Sequence, residues 1–189
     1  KFIIPLFHRY EFMDLTLKSF EIHREKSEGL ICQDNIRADI KVAFFIRVDN
    51  TQEEMKEVAQ SIGARRCSEI DTLRELFDAK FSEALKTVGK QFDFVDLYDQ
   101  RDKFKDEILK VIGTDLNGYR LDDAAIDYLE QTELNMLSPT NILDAEGIKK
   151  ITELTATEKV KENQFTRDKE KTLKKQDVEA QETILALER

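Results

Sequence analysis

The sequence predicts an α+β protein in which strands come first, amphipathic helices follow, and one long helix ends the chain. Three observations support this order. Apolar residues alternate strictly over residues 36–48, they recur every three or four positions over residues 70–112, and neither glycine nor proline occurs after residue 147. A period of two is typical of a half-buried strand, whereas a period near 3.6 is typical of a helix packed on a core.

Composition limits the class of protein before any element is placed. The chain has 189 residues and a net charge of −9, and 37% of its residues are charged, against roughly 25% in average domains. This length predicts one domain, or one domain with an added extended segment. A pI near 4.9 argues against a nucleic-acid partner, which needs a basic surface. No apolar run of 18 residues occurs, and two cysteines 35 residues apart form neither a disulfide framework nor a zinc motif.

The first zone, residues 1–50, has the pattern of strands. Its clearest run places an apolar residue at every even position from Ile36 to Val48. Upstream, the apolar residues change phase between Leu17 and Phe20, so we predict a bulge near residues 18–19. A turn is predicted at residues 26–29. The opening of the chain also has strand character and begins in mid-pattern, so we expect the chain to be a piece of a longer protein.

The second zone, residues 51–118, has the pattern of three helices. Thr51 and Glu54 form a predicted capping box, and Gly63 ends that helix. The second helix ends at Gly89, and the third begins at Asp93. The second helix has an apolar stripe made of Ile70, Leu73, Phe77, Phe81, Ala84 and Val88. The third has one side formed by Leu97, Arg101, Phe104, Ile108 and Ile112. Phenylalanines on such stripes are predicted to be core residues rather than a platform for stacking bases.

Residues 119–131 are ambiguous on pattern alone. Tyr119, Leu121 and Ala125 suit a strand, but the spacing of Leu121, Tyr128 and Leu129 suits a helix equally well. Periodicity therefore leaves both assignments open.

The third zone, residues 139–189, is predicted to form one long helix. Residues 148–189 permit 42 helical residues, roughly 63 Å at about 1.5 Å per residue. From residue 158 to residue 182, 14 of 25 positions are charged. The pairs Glu158–Lys161, Glu170–Lys174 and Lys175–Glu179 have helical spacing. These features are typical of an exposed helix.

The apolar positions of this helix define a candidate self-association surface. A seven-residue repeat fails upstream of residue 173, but an 11-residue repeat places apolar residues at six of eight positions. Such a repeat is typical of right-handed or nearly straight supercoils. The six residues, which we name the tail seam, are Ile151, Leu154, Phe165, Leu173, Ile184 and Leu187. The alternative is a single helix stabilised by its charge pairs.

Metal chemistry finds little support in the sequence. The two histidines, His8 and His23, both lie in the strand zone. Neither has cysteine or carboxylate partners at the spacing that a metal site needs. We therefore predict no metal site and no cofactor.

Catalytic chemistry is equally sparse. Cys67 lies beside two arginines, but neither it nor Cys32 belongs to a nucleophile motif. Asp122 and Asp123 are the one tempting carboxylate pair, yet neighbours on a strand point to opposite faces and could not flank one bond. The sequence favours a protein that is not an enzyme.

Segments along the whole chain carry a family resemblance. Residues 4–9 read IPLFHR, residues 34–40 read DNIRADI before an apolar strand, and residues 116–119 read LNGY. Their order and spacing resemble the SPFH (band 7) domain superfamily, which includes stomatins, prohibitins and flotillins. Residues 141–152, NILDAEGIKKIT, are similar more narrowly to bacterial flotillin-like inner-membrane proteins.

The resemblance implies a two-part organisation. Residues 1–138 would be an SPFH domain lacking its N-terminal part, a curved antiparallel sheet packed with helices. Residues 139–189 would begin a coiled-coil tail, and residues 119–131 would be a strand. The resemblance also implies a membrane anchor in a segment absent from this fragment. We thus expect the full protein at the bacterial inner (plasma) membrane and the fragment itself to be soluble.

The resemblance and the sparse tail seam together suggest a function. We expect a non-enzymatic, membrane-associated scaffold that forms high-order homo-oligomers, organises membrane microdomains and has membrane-protein clients. A second hypothesis is a regulatory partner that binds and restrains a membrane protease or channel. A third is a hydrolase that uses Cys67 or the Asp122–Asp123 pair. The apolar residues Phe2, Ile3, Phe7 and Phe12 are predicted to belong to the sheet, with lipid contact as the alternative.

Overall fold

A computed structural model describes residues 11–113 and 116–187 of the chain. It confirms the α+β class and the long C-terminal helix. The strands are β1 (Lys18–Arg24), β2 (Leu30–Ile31), β3 (Arg37–Val48) and β4 (Tyr119–Gln131). The helices are α1 (Gln52–Ser61), α2 (Ile70–Gly89), α3 (Phe94–Asp99), α4 (Arg101–Ile112) and α5 (Ile142–Leu187). The predictions for residues 2–7 and for His8 lie outside the described residues. The prediction that Phe12 belongs to the sheet is wrong, because Phe12 precedes β1 and is 83% exposed.

Strand β3 is the centre of the antiparallel sheet. Its first edge pairs with β1 and, nearer its start, with β2, and its other edge pairs with β4. The strict alternation predicted for it is confirmed, because the even positions are buried and, from Asp39 onward, the odd positions are only partly covered. The predicted bulge near residues 18–19 is wrong: β1 begins at Lys18 and pairs in regular register, so the phase change marks the start of the strand.

Strand β4 confirms the assignment that the resemblance implied for residues 119–131. Its pairing with β3 shifts at two places, and the residues of β4 left out of register there are Asp122 and Asp127. Each of these carboxylates lies beside a cation of β3, Asp122 at 2.8 Å from Arg47 Nε and Asp127 at 2.9 Å from Lys41 Nζ. At each of the two irregularities, the β4 residue that is out of register is therefore an aspartate that forms an ion pair with β3.

Helices α2 and α4 cover the buried face of the sheet. Phe81 of α2 stacks on Phe20 with ring centroids 5.7 Å apart and lies 4.6 Å from Phe44. Phe104 of α4 meets Phe92 edge to face at 5.7 Å. The predicted core role of these phenylalanines is confirmed, because Phe81 and Phe104 are fully buried. Aromatic pairs of this kind stabilise the core between the sheet and the helices by more than the apolar area they bury would give.

Two details of the helical prediction are wrong. The helix expected to run from Asp93 to Gly113 is two helices, because the chain leaves helical geometry at Gln100 (φ −110°, ψ 46°). Ile70 was expected on the apolar stripe of α2 but is 49% exposed, since it is the first residue of the helix and precedes the part that meets the sheet. Thr51 is the N-cap of α1 as predicted, with its Oγ1 accepting the Glu54 N–H at 3.3 Å, which is one of the two hydrogen bonds of a capping box.

The chain divides into two compact units, one ending at Gly147 and one beginning at Ile148. The first unit contains the sheet, α1 to α4 and the opening turns of α5. The second consists of the remaining length of α5. The domain boundary between residues 138 and 139 remains a prediction.

Candidate functional site

The residues considered for chemistry lie apart in the fold. Cys32 and Cys67 are buried free thiols, and burial raises the pKa of the Cys32 thiol to about 12. Cys67 Sγ lies 3.2 Å from the Ala64 carbonyl oxygen. A buried, protonated thiol is a poor nucleophile. His23 is an exposed residue of β1 and lies 3.3 Å from Glu21 Oε2.

The carboxylates of Asp122 and Asp123 are solvated, and both already form ion pairs. Asp122 lies beside Arg47 and also 3.5 Å from Arg120 Nε, whereas Asp123 lies 3.2 Å from Lys105 Nζ. The irregularity at Asp122 interrupts the alternation on which the opposite-face prediction rested, and both residues are exposed. Within residues 11–113 and 116–187, no group of three histidine, cysteine or carboxylate side chains could hold a metal ion.

The structure instead gathers polar contacts around the loop between β2 and β3. This loop, residues 32–36, turns back on itself, because Asn35 adopts a positive φ of 62° and its N–H donates to the Cys32 carbonyl at 3.1 Å. Asparagine tolerates this left-handed conformation better than most residues. Asp34 Oδ2 accepts the N–H of Phe94 at 3.2 Å, so the loop also holds the first turn of α3.

Arg37, the first residue of β3, forms a buried ion pair with the first turn of α5. Its Nη2 and Nε donate to Asp144 Oδ1 at 2.7 and 3.0 Å, and the two side chains are only 8% and 9% exposed. The Nη1 atom donates to the carbonyl oxygens of Ser27 and Gly29 at 2.8 and 3.2 Å. Asp144 Oδ2 accepts the Ser138 N–H at 3.2 Å. The charge pair is therefore embedded in further hydrogen bonds, as a buried pair needs.

A second set of contacts runs through Asn35. Its Nδ2 donates to Glu146 Oε2 at 2.6 Å, and its Oδ1 accepts from Lys90 Nζ at 2.9 Å. A Cβ at Gly147 would overlap the Asn35 carbonyl oxygen, so only glycine permits this approach of helix and loop. We name residues 32–37 with residues 141–147 the junction, because they bind the start of α5 to the sheet.

Opposing effects set the charge state of the junction. Burial by itself would raise the pKa of Asp144, but the hydrogen bonds from Arg37 and the Ser138 N–H outweigh it and hold the pKa below its ordinary value. Asp144 is therefore ionised at neutral pH and pairs with the guanidinium. The first turn of α5 is also capped, since Asn141 Oδ1 accepts the Leu143 N–H at 3.0 Å.

The tail seam lies on α5, and most of it is exposed. Leu154, Phe165, Leu173, Ile184 and Leu187 are between 42% and 82% exposed, whereas Ile151 is buried. At about 100° per residue, all six fall within an arc of about 120° on an ideal helix. Of the three charge pairs predicted on this helix, Glu158–Lys161 is formed at 2.7 Å, and the structure records neither of the other two. The role of the tail seam in self-association stays a prediction.

Comparison with protein families matches residues 1–184 to the SPFH domain / Band 7 family. The chain belongs to this family. The Escherichia coli (strain K12) flotillin family inner membrane protein YqiK is 30% identical to it over 188 residues, which is 98% of the chain and 34% of that relative. The Synechocystis flotillin family inner membrane protein sll1021 is 25% identical over 154 residues, which is 80% of the chain and 22% of that relative. The chain thus spans about a third or less of the length of these curated relatives.

Two of the segments that carried the SPFH resemblance turn out to be the two halves of the junction. Residues 34–37 and residues 141–147 are more than 100 residues apart in sequence, yet they meet through Arg37 and Asp144. Sequence reasoning singled out both segments but did not pair them. Opposite charge was the available signal, but nothing in their spacing distinguished Asp144 from the other acidic residues.

No helix among the described residues is both long and apolar enough to cross a bilayer.

Proposed function

We propose that this SPFH-domain protein is a non-enzymatic, membrane-associated scaffold that assembles with copies of itself and organises membrane microdomains. Membership of the SPFH family and the inner-membrane names of its relatives support the membrane association. The observation on which self-assembly rests is the tail seam, five of whose six side chains are exposed on one face of a 46-residue helix.

The composition of α5 favours many weak contacts over one strong contact. Its apolar residues are far apart and its charged residues are numerous, so a pair of these helices buries little apolar area. Weak contacts become sufficient when subunits are held on one surface, because tethering raises their effective concentration. We therefore expect the free chain to be a monomer or a loose oligomer and the membrane-bound protein to be a high-order assembly.

A test compares two substitutions on the same helix. Leu173 belongs to the tail seam and is 51% exposed, whereas Val178 is 52% exposed and lies on the opposite side of the helix. The chain would be tethered to vesicles through an N-terminal histidine tag on nickel-chelating lipid, with donor and acceptor dyes on separate copies. We expect Leu173→Ser to lower energy transfer to the level of random placement and Val178→Ser to leave it nearly unchanged.

Two results would count against the proposal. One is energy transfer in the tethered native chain no greater than random placement gives. The other is equal transfer in the native chain and the Leu173→Ser variant. Purification of the full-length protein with a stoichiometric membrane protease or channel, and without higher-order particles, would favour the regulatory-partner alternative.

A further inference from the structure

A groove of about 540 Å³ lies beside the junction in the first unit. It is formed by the end of β1, the turn that follows, β2, the start of β3 and the last turns of α2. Its lining residues are Arg24, Ser27, Glu28, Gly29, Ile31, Arg37, Lys86 and Lys90. Four of these eight are cationic and one is acidic, although residues 1–138 as a whole have a net charge of −8.

The two arginines form the fixed part of this groove. Arg37 is held by Asp144, and Arg24 donates through Nη2 to Asp78 Oδ2 at 2.9 Å and to the Ser82 hydroxyl. Their side chains are only 8% and 16% exposed. Because carboxylates already pair with them, these arginines shape the wall and leave the remaining positive charge to the lysines.

The two lysines stand one helical turn apart at the end of α2. Both are exposed. Lys90 Nζ donates to the Cys32 carbonyl at 3.2 Å and to Asn35 Oδ1 at 2.9 Å, which leaves one of its three N–H groups. Among the residues that the structure describes, no carboxylate lies within ion-pair distance of Lys86. Like charges at this spacing repel, so the pair is a site of uncompensated positive charge.

The helix dipole alone does not account for this arrangement. Cations at the C-terminal end of a helix are favourable, and this explains why lysines occur at Lys86 and Lys90. It does not explain why they border a concavity, whose wall is shaped by the ion-paired arginines Arg24 of β1 and Arg37 of β3. A concave site that presents N–H donors from positively charged side chains is suited to bind an oxyanion.

We propose that this groove binds a phosphate-bearing anion, either a dissolved phosphate compound or the head group of an anionic phospholipid. Lys86 Nζ and the remaining N–H of Lys90 donate to the phosphate oxygens, and the backbone turn at residues 27–29 limits the size of the bound group. This site is independent of the tail seam and goes beyond the scaffold proposal. It would stand even if the helices did not associate.

The test uses pyrophosphate as the dissolved probe and reverses one charge at a time. Lys86→Glu is preferred to a change at Lys90, because Lys90 also belongs to the contacts of the junction. The matched control is Lys80→Glu, an exposed lysine of the same helix that does not line the groove. Pyrophosphate would be titrated into the isotopically labelled chain, with amide chemical shifts of residues 27–31 and 86–90 as the readout.

The same variants would be mixed with vesicles of phosphatidylcholine alone and of an equimolar mixture with phosphatidylglycerol. We expect saturable binding by the native chain, at least roughly tenfold weaker binding by Lys86→Glu, and less than about a twofold change in Lys80→Glu. Binding to the anionic vesicles assigns the ligand as a lipid head group, and binding to pyrophosphate alone assigns a dissolved compound. Absence of both, or equal weakening by the two variants, overturns the proposal.

Discussion

Arg37 is the residue on which the junction depends. Its guanidinium makes four hydrogen bonds, two to Asp144 and two to carbonyl oxygens of the turn before β2. Arginine suits this position because its planar group presents several donors at once and remains charged when buried. A lysine could not make all these contacts. The pair brings a helix start and a strand start together with defined geometry.

Removal of one partner of this pair is expected to be costly. Asp144→Asn leaves the buried guanidinium without its counter-charge, so we expect the free energy of unfolding to fall by about 3 kcal/mol. Urea unfolding followed by near-ultraviolet circular dichroism, which reports the aromatic core, would measure this. The control is Glu158→Gln at the exposed Lys161 pair, where we expect a change below about 0.5 kcal/mol. A comparable loss in both variants would show that burial of the pair is unimportant.

The Asp144 pair also predicts a pH dependence. Its pKa is lowered in the folded state, so its contribution to stability is present above the unfolded pKa, about 4, and is lost as the pH falls through the folded pKa. We expect the stability gap between the native chain and Asp144→Asn to be full at neutral pH and to shrink below about pH 4. Urea unfolding of both chains over this range would measure the gap, and a constant gap would contradict the assignment.

At the scale of elements, the first two turns of α5 depend on close contact with the loop before β3. Gly147 is a helical residue, and its contact is with backbone, which cannot swing aside as a flexible side chain can. Glycine at this position lowers the helix propensity of α5, but it allows the helix to approach the loop before β3 closely. The same loop caps α3 through Asp34, so one short segment orients two helices.

Gly147→Ala separates these two effects. Alanine would stabilise the isolated helix by about 1 kcal/mol. Overlap with the Asn35 carbonyl is expected to cost about 3 kcal/mol, the upper part of the range for overpacking, so the net loss of unfolding free energy is about 2 kcal/mol. Lys150→Ala, at an exposed position of the same helix, should change stability by less than about 0.5 kcal/mol. A stabilised Gly147→Ala variant in thermal or urea unfolding would argue against the close contact.

Sequence pattern predicted the elements whose burial is periodic. Strand β3 and helix α2 each present one apolar face to the core, so their periods predicted them directly. The break at Gln100 was missed because neither glycine nor proline marks it, and β2 was missed because two residues are too short for a period. Pairing of Arg37 with Asp144 could not be predicted, since it depends on how the chain returns to the sheet over more than 100 residues.

At the scale of the whole molecule, charge is unevenly shared between the two parts of the chain. Residues 139–189 hold 10 basic and 11 acidic groups, so nearly all of the net charge of −9 lies in residues 1–138. Neighbouring copies in an assembly would repel one another through these acidic regions, whereas their nearly neutral tails would not. Contacts through the tail seam would then have to overcome the electrostatic repulsion between the acidic regions of neighbouring copies.

This balance predicts that salt promotes association. Added salt screens repulsion between exposed like charges but has little effect on apolar contacts. We expect energy transfer between copies that are covalently tethered to vesicles to rise several-fold between about 0.05 M and about 0.5 M sodium chloride. A neutral solute at matched osmolarity serves as the control. If association weakened with salt, attraction between opposite charges, and not the tail seam, would be the main contact.

The acidic irregularities of β4 restrict how copies can meet. Among the described residues, no strand pairs with the outer edge of β4, so this edge of 13 residues is open to pairing with β4 of a second copy. Along that edge Asp122, Asp123, Asp127 and Glu130 would lie near the same acidic residues of the incoming copy, and the two register shifts interrupt the regular spacing of the strand. Fibril growth by pairing of one β4 edge with another is thereby discouraged, so any self-association of this protein would have to use a different surface.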